Sequence, residues 1–388
     1  MSDHNEKALA AHAAWRGKLR TQVVSPVSTS EELSLAYTPG VAAPCLAIAN
    51  DPHAVYTYTG KGHTVAVVTD GSAVLGLGNI GPLASLPVME GKCALFKAFA
   101  DIDAVPIALD TQDPQALITT IKALAPAFGG INLEDISAPR CVDIERHLVE
   151  ALDIPVFHDD QHGTAIVVSA ALRNALRVVK KELSHVRIVI SGAGAAGSAI
   201  VRMLHGLGAT QLTVFDKAGQ LHAQRESLDF LQRELLTLIP DRPRFLSLAE
   251  ALIDADVFIG VSAPNLVSEA MVTTMAKDPI VFALANPQPE IAYDAAIRAG
   301  AAIAATGRSD RPNQVNNVLA FPGLFKGALS IQAKRITPTM MHAAVDALAD
   351  LVGDDLSSTM ILPKALDPRV ASAVAHAVAQ AASEVSPK

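Results

Sequence analysis

Two adjacent pairs of carboxylates, Glu134-Asp135 and Asp159-Asp160, each follow a short apolar run, INL and PVFH. Four carboxylates at strand ends repel one another unless a cation neutralises them. Oxygen donors without a thiolate suit Mg²⁺ or Mn²⁺. Acidic dipeptides also mark solvated loops and helix N-termini, so composition alone leaves both readings open. His158 and His162 flank the second pair and read as supporting or packing residues rather than ligands. Lys92 stands in a mostly apolar stretch, GKCALF. A lysine buried near carboxylates becomes a base once desolvation lowers its pKa. The same side chain can instead lay its stem on apolar surface and keep its ammonium in water, and the stretch alone favours this reading. Tyr37, just before Pro39-Gly40, is either an active-site phenol or a packing residue. Asn286 and the pair Asn316-Asn317 lie in loops, where a neutral amide can orient a carboxylate or simply shape a turn.

A second chemistry is written between Ile188 and Asp216, IVISGAGAAGSAIVRMLHGLGATQLTVFD. An apolar strand runs into Gly192, Gly194 and Gly197 at G-x-G-x-x-G spacing. A helical stretch, Ser198 to Leu207, then precedes a second strand, Leu212 to Phe215, that ends at Asp216. Gly192 allows a tight turn, Gly194 a close approach of backbone to a pyrophosphate, and Gly197 close packing of helix and sheet. The helix N-terminus offers free N–H groups and positive dipole to phosphate. An acid roughly 20 residues on is placed to accept the ribose hydroxyls. These features together predict a dinucleotide site.

The elements that must position these groups alternate between strand and helix. Strands are expected at Thr64–Thr69, Val105–Leu109, Gly130–Leu133 and Pro155–Phe157. Helices are expected at Pro87–Ala100, Pro114–Ala125, Arg140–Ala151 and Thr164–Val179, with residues 1 to about 35 helical and partly exposed. Further buried strands are expected at Ala255–Gly260 and Pro279–Leu284, and late helices start at Thr337-Pro338 and Asp367-Pro368. Gly71 to Met89 carries no charge, but its glycines and prolines read as loop rather than a membrane span. The pattern is α/β, and at 388 residues two domains are expected, 1–160 and 161–388.

Half the residues are hydrophobic and few are aromatic, which suits a buried parallel sheet. A net charge of −8 without a basic stripe argues against nucleic acid. Cys45, Cys93 and Cys141 suggest neither a disulfide framework nor a thiolate zinc site, and point to a reducing cytoplasm. The N-terminus, MSDHNEKALAAH, has no apolar signal region.

Several segments are similar to the malic enzymes in their short bacterial form. They are LSLAYTPGVAAPCLAI (33–48), VVTDGSAVLGLGNIGPLASLPVMEGKCALFKAFADIDAVPI (67–107), INLEDISAPRCVDIE (131–145), PVFHDDQHGTAIVV (155–168), FALANPQPE (282–290) and TGRSDRPNQVNNVLAFPG (306–323). The resemblance implies an N-terminal α/β domain followed by a Rossmann-type doubly wound domain, in a homodimer. It implies oxidative decarboxylation of L-malate to pyruvate and CO₂, with NAD or NADP and a divalent cation, Mg²⁺ or Mn²⁺. In this family's terms Glu134, Asp135 and Asp160 ligate the metal, Lys92 is the general base assisted by Asp159, and Tyr37 is the general acid. Asn286 and Asn317 contact malate beside the nicotinamide, while Gly192, Gly194, Ala195, Ala196 and Gly197 hold the pyrophosphate.

The chain departs from the family in places. Longer malic enzymes carry a substrate-binding arginine where this chain has Ser72-Ala73-Val74, so the distal carboxylate must be held differently, by Asn317 or by a partner subunit. The chain ends at 388 without the phosphotransacetylase-like extension of some relatives, so regulation by acetyl-CoA through it is not expected. Segment 217–247 fits the family poorly and covers the wall near the adenosine ribose. Asp216 would repel a 2′-phosphate while Lys217 could pair with one, and the balance leans slightly to NAD. Competing readings are oxaloacetate decarboxylation or malolactic conversion on the same scaffold, and a non-catalytic nucleotide-binding protein.

Overall fold

Apolar runs rich in Val and Ile form two sheets in the computed structural model, which describes residues 3–74, 76–239, 244–245 and 247–385. The first sheet contains β1 (Thr64–Thr69), β2 (Asp103–Ala108), β3 (Gly130–Leu133) and β4 (Val156–His158), all parallel, in the order β2-β1-β3-β4. Alternate residues of β1 serve opposite faces: Val65 and Val67 join one apolar cluster, Ala66 and Val68 another. Both faces are covered, which is why the strand reads as an unbroken hydrophobic run.

The second sheet comprises β5 (Ile188–Ser191), β6 (Leu212–Asp216), β7 (Gly219–Gln220), β8 (Val257–Gly260), β9 (Ile280–Ala283) and β10 (Ile303–Thr306). Its order is β10-β9-β8-β5-β6-β7, parallel except for β7, which runs antiparallel to β6. The order reverses between β5 and β8, and a doubly wound sheet binds ligands beyond the strand ends at such a switch point. The sequence pattern missed β7 and β10. The latter, IAAT, is too short and alanine-rich to announce itself as a strand.

Three local expectations change. The helix expected from Pro87 begins at Gly81, so the second half of the supposed 71–89 loop is helical. Pro82 is tolerated in its first turn, and Leu83, whose carbonyl Pro87 leaves unbonded, is exposed to solvent. The helix after the glycine loop begins at Ala195 rather than Ser198. Residues 1–35 are not continuously helical: Asp3–Trp15 and Ser30–Ala36 are helices, with irregular chain between. Residues 240–243 and 246 of the poorly matching 217–247 segment lie outside the described residues, as does Leu75.

One apolar mass joins the sheets. The helix Phe321–Ser330, late in the chain, packs on the helix Gly81–Ala100 of the first sheet. Phe96 meets Phe321 and Phe325 with ring centroids 4.7 and 5.3 Å apart, and Phe157 meets Phe325 edge-on at 5.9 Å. These rings are fully buried, so truncating any one would cost about 3–5 kcal/mol.

Candidate active site

The two acidic pairs meet because β3 and β4 are neighbours in register, with Leu133 opposite His158. Their carboxyl-terminal loops therefore leave the sheet side by side. Glu134, Asp135 and Asp160 each offer an oxygen within 4.8 Å of the others. The Asp135 backbone N–H donates to Asp160 Oδ2 at 2.8 Å, and Asn132 Nδ2 donates to Glu134 Oε2 at 2.7 Å. Burial raises the Glu134 carboxyl, Lys92 opposes this, and Asp160 pushes it further up. Asp160 is likewise raised, by burial above all. Such a set resists full ionisation until a cation joins it, and its all-oxygen chemistry fits a hard dication.

Lys92 is not a snorkelling residue. It is 7 % exposed, and its Nζ donates to Glu134 Oε1 at 2.9 Å and to Asp159 Oδ2. The ammonium also stands 4.1 Å from the centre of the Phe321 ring. Burial alone would lower its pKa, but Asp159 and Glu134 outweigh that and hold it above its ordinary value. Asp159 is fully buried, and burial raises its carboxyl more than Lys92 lowers it. Its Oδ2 also accepts from Asn317 Nδ2, whereas Oδ1 has no hydrogen-bond partner.

Asp159 to Gly163 form one wide turn between β4 and the helix Thr164–Val179. A Cβ at Gly163 would fall 1.8 Å from Asp159 Oδ1, so glycine is required there. Glu145, in the helix Arg140–Ala151, holds this turn from behind. It accepts the His158 backbone N–H at 2.8 Å and Gln161 Nε2 at 3.1 Å, and pairs with His162 Nε2 at 2.9 Å. Burial opposes ionisation of Glu145, but His162 and these hydrogen bonds keep its pKa below the ordinary value. His158 is fully buried with neither ring nitrogen bonded, and burial lowers it to about 4. It is thus a neutral packing residue at pH 7, one of the roles read for it from the sequence.

A cleft of about 790 Å³ opens between the strand ends of the two sheets. Lys92, Glu134, Asp135, Asp160, Ala195, Ala196, Asn286 and Asn317 are among the residues that line it. The glycine loop behaves as its spacing predicts. Gly192 takes φ +118°, and a Cβ at Gly197 would sit 1.8 Å from the Gly192 carbonyl, so the third glycine serves packing of helix on turn. Gly194 precedes the helix Ala195–Gly206 with no side-chain cap, leaving first-turn N–H groups for an anion. Asn316 spends its side-chain oxygen on the Val318 N–H, a turn-forming role.

Tyr37 and Asp216 lie apart from this group, and Asn317 is engaged within it. Tyr37 is 68 % exposed and is not among the residues lining the cleft. Asp216 ends β6 as expected, but its carboxylate already accepts from Arg225, Gln232 and the Ala218 N–H. The Asn317 amide, expected to help a substrate carboxylate, donates to Asp159. Sequence reasoning missed Glu145, Asn132 and Arg140. Arg140 binds Asp70, Ser72 and the Gln112 carbonyl, tying the Ser72-Ala73-Val74 segment to the Glu134 loop. The pairings of Glu145 and Arg140 across the fold leave no mark in local spacing, whereas Asn132 stands two residues before Glu134 and its alternation on β3 could have drawn attention to it.

The model of the malic enzyme N-terminal domain matches residues 16–117, and that of the malic enzyme NAD-binding domain matches 161–383. A bifunctional malic/malolactic enzyme of Bacillus subtilis (strain 168) is 52% identical over 98% of this chain and 93% of its own length. An NADP-dependent malic enzyme of Halomonas elongata is 49% identical, covering 94% of this chain and 90% of its own. The crystal structure of an NAD-dependent malic enzyme from Thermotoga maritima superposes with a TM-score of 0.93 at 48% identity, covering 96% of this chain and 98% of that one.

Proposed function

We propose, for a chain that belongs to the malic enzyme family, that the cleft between the sheets holds malate and the nicotinamide end of its cofactor side by side. The reaction is oxidative decarboxylation of L-malate to pyruvate and CO₂ with reduction of NAD⁺ or NADP⁺. The observation that carries the site is the buried Lys92 ammonium bonded to Asp159 and Glu134, beside the carboxylate trio. Glu134, Asp135 and Asp160 would hold Mg²⁺ or Mn²⁺. When bound, such an ion supplies positive charge at the hydroxyl and carboxylate oxygens of malate and lowers the hydroxyl pKa.

The chain's own residues then divide the proton work. Lys92 can accept the C2 hydroxyl proton only after losing one, and Asp159, with its raised carboxyl, is the adjacent acceptor. Neutralising Glu134 also removes one of the charges that hold Lys92 protonated. As C2 is oxidised its hydride passes to the nicotinamide, and the keto acid loses C4 as CO₂. Asn286 and Asn317, which line the cleft, contact malate beside the nicotinamide, while Ala195 and Ala196 at the helix start face the pyrophosphate.

Protonation at C3 falls to Tyr37, which must come from elsewhere. The helices Ser30–Ala36, Ala42–Asn50 and Val55–Tyr58 bury no residue, and Leu33, Leu35, Leu46 and Tyr58 are exposed, as Tyr37 is. Such a surface favours a homodimer in which this region packs on a second copy and supplies Tyr37 to a cleft. We place the division of the chain at the Asp159–Gly163 turn, near residue 160. Three free thiols, two of them buried, suit a reducing cytoplasm, and no described helix is long and apolar enough to cross a membrane.

The similarity to the bifunctional malic/malolactic enzyme of Bacillus subtilis favours a second activity, malolactic conversion. Absorbance of reduced nicotinamide with L-malate, Mn²⁺ and either cofactor, with product analysis, tests both. Chelator-sensitive reduction with pyruvate formed supports the first reading. Lactate without net reduction supports the second, and neither product overturns both.

A further inference from the structure

The acid at the end of β6 is the usual determinant of the ribose end of a dinucleotide, and here it is not available. An NAD site needs a carboxylate that can accept two ribose hydroxyls. Asp216 Oδ2 already accepts from Arg225 Nη1 at 3.0 Å and Gln232 Nε2 at 2.9 Å, and Oδ1 accepts the Ala218 N–H at 2.7 Å. Asp216 and Arg225 are 15% and 13% exposed, so the pair is shielded rather than a loose surface contact. The carboxylate's charge is therefore compensated where a 2′-phosphate would lie.

The pocket around this pair measures about 570 Å³ and contains Lys217, Arg225 and Arg233. Among the described residues, Lys217 and Arg233 have no carboxylate partner. Of the acids here, Asp229 caps the helix Phe230–Leu238 through the Gln232 N–H, and Asp216 is paired. Glu226 remains as an exposed counter-charge. Nearby His222 is held below its ordinary pKa by burial first, then by Arg244 and Arg225, so Arg244 is a further cation close to this segment. Gln232 fixes the arrangement: its amide nitrogen bonds Asp216 while its oxygen accepts the Asp229 N–H.

We propose that the Asp216–Arg233 wall is a 2′-phosphate site, with Arg225 as the specificity-determining residue, so that this chain prefers NADP over NAD. Arg225 uses one nitrogen on Asp216, and its remaining donors meet the phosphate. Lys217 and Arg233 add the charge. The inference rests on the reading of the Gly192–Gly197 loop as the dinucleotide site, and it reverses the slight lean to NAD drawn from Asp216 alone.

Titration calorimetry of the full chain with adenosine 2′,5′-bisphosphate and with 5′-AMP reads the site without turnover. The bisphosphate is expected to bind at least about tenfold tighter, in keeping with a charge-assisted contact. Arg225→Ala should remove most of that difference, and Arg225→Lys should restore part of it. In turnover with malate and Mn²⁺, the ratio of kcat/KM for NADP⁺ to that for NAD⁺ should exceed one. It should fall by about tenfold or more in Arg225→Ala as Asp216 is freed for ribose. Equal or tighter binding of 5′-AMP by the unaltered chain overturns the proposal, whether or not the variants fold. Retained bisphosphate preference without malate turnover supports it while overturning the reaction assigned above.

Discussion

Replacing Glu145 with alanine tests whether the acidic turn is held from behind. The side chain is 6% exposed and serves three donors: the His158 N–H, Gln161 Nε2 and His162 Nε2. An unmet buried donor costs about 1–3 kcal/mol. Water entering the vacated space recovers part of this, so a loss of about 3–5 kcal/mol is expected. At about 1.2 °C per kcal/mol for a chain of this size, Tm should fall by roughly 5 °C. His158 and Gln161 bracket Asp159-Asp160, so the turn should loosen and Mn²⁺ affinity fall by about tenfold or more. Glu145→Gln keeps the volume and one acceptor but turns an amide N–H toward other donors, so it should fall between. Calorimetric unfolding and Mn²⁺ titration on the same samples decide the matter. A lower Tm with unchanged Mn²⁺ affinity and kcat would show that Glu145 serves the fold alone, and an unchanged Tm would refute the hydrogen-bond reasoning itself.

Lys92→Ala should lower kcat by about 10³-fold or more while dinucleotide affinity stays nearly intact, because the glycine loop belongs to the other sheet; affinity collapsing with activity would make Lys92 structural. Asp160→Asn should weaken Mn²⁺ binding by about tenfold or more while its amide oxygen still accepts the Asp135 N–H, and unchanged calorimetric affinity would remove it from the ligand set. His158 predicts a pH effect. Its pKa of about 4 in the fold, against about 6.5 unfolded, means the unfolded chain takes up the proton first as pH falls. The stability it contributes is complete above about pH 6.5 and is lost toward pH 4, about 2 kcal/mol of it by pH 5. Urea unfolding of the metal-free protein at pH 7 and 5 should show that loss shrink in His158→Asn, and an equal loss in both would contradict it.

The strands and glycine loop were legible because each is a local pattern. TVAVVT and IVIS are buried on both faces, and the three glycines answer to a turn within a few residues. The acidic pairs were legible as types but not as a site. What unites them is the β3–β4 register, a pairing across 25 residues that periodicity does not encode. Lys92 read from its own stretch as a snorkelling lysine for the same reason, since its partners Asp159, Glu134 and Phe321 come from three separate stretches. The helix start at Gly81 was hidden by glycines and prolines that usually mark loops. Tyr37 was named through resemblance alone, and within one chain it is exposed and does not line the cleft.

The site also explains why the two halves must act as one body. Asp159 lies at the head of the turn leading out of the first sheet, yet Asn317 and Phe321, which bond it and cover Lys92, are supplied some 150 residues later. The Phe96–Phe321–Phe325 contact fixes that late segment against the helix bearing Lys92. Hydride transfer requires the nicotinamide and the substrate carbon to meet within a few tenths of an ångström of one geometry. A hinge that opened the cleft fully would pull Asn317 from Asp159 and Phe321 from Lys92. Opening for substrate must therefore be limited to the strand-end loops, with the aromatic contact kept intact. Phe325→Leu, which weakens that contact without touching the cleft, should lower kcat more than it raises KM for malate.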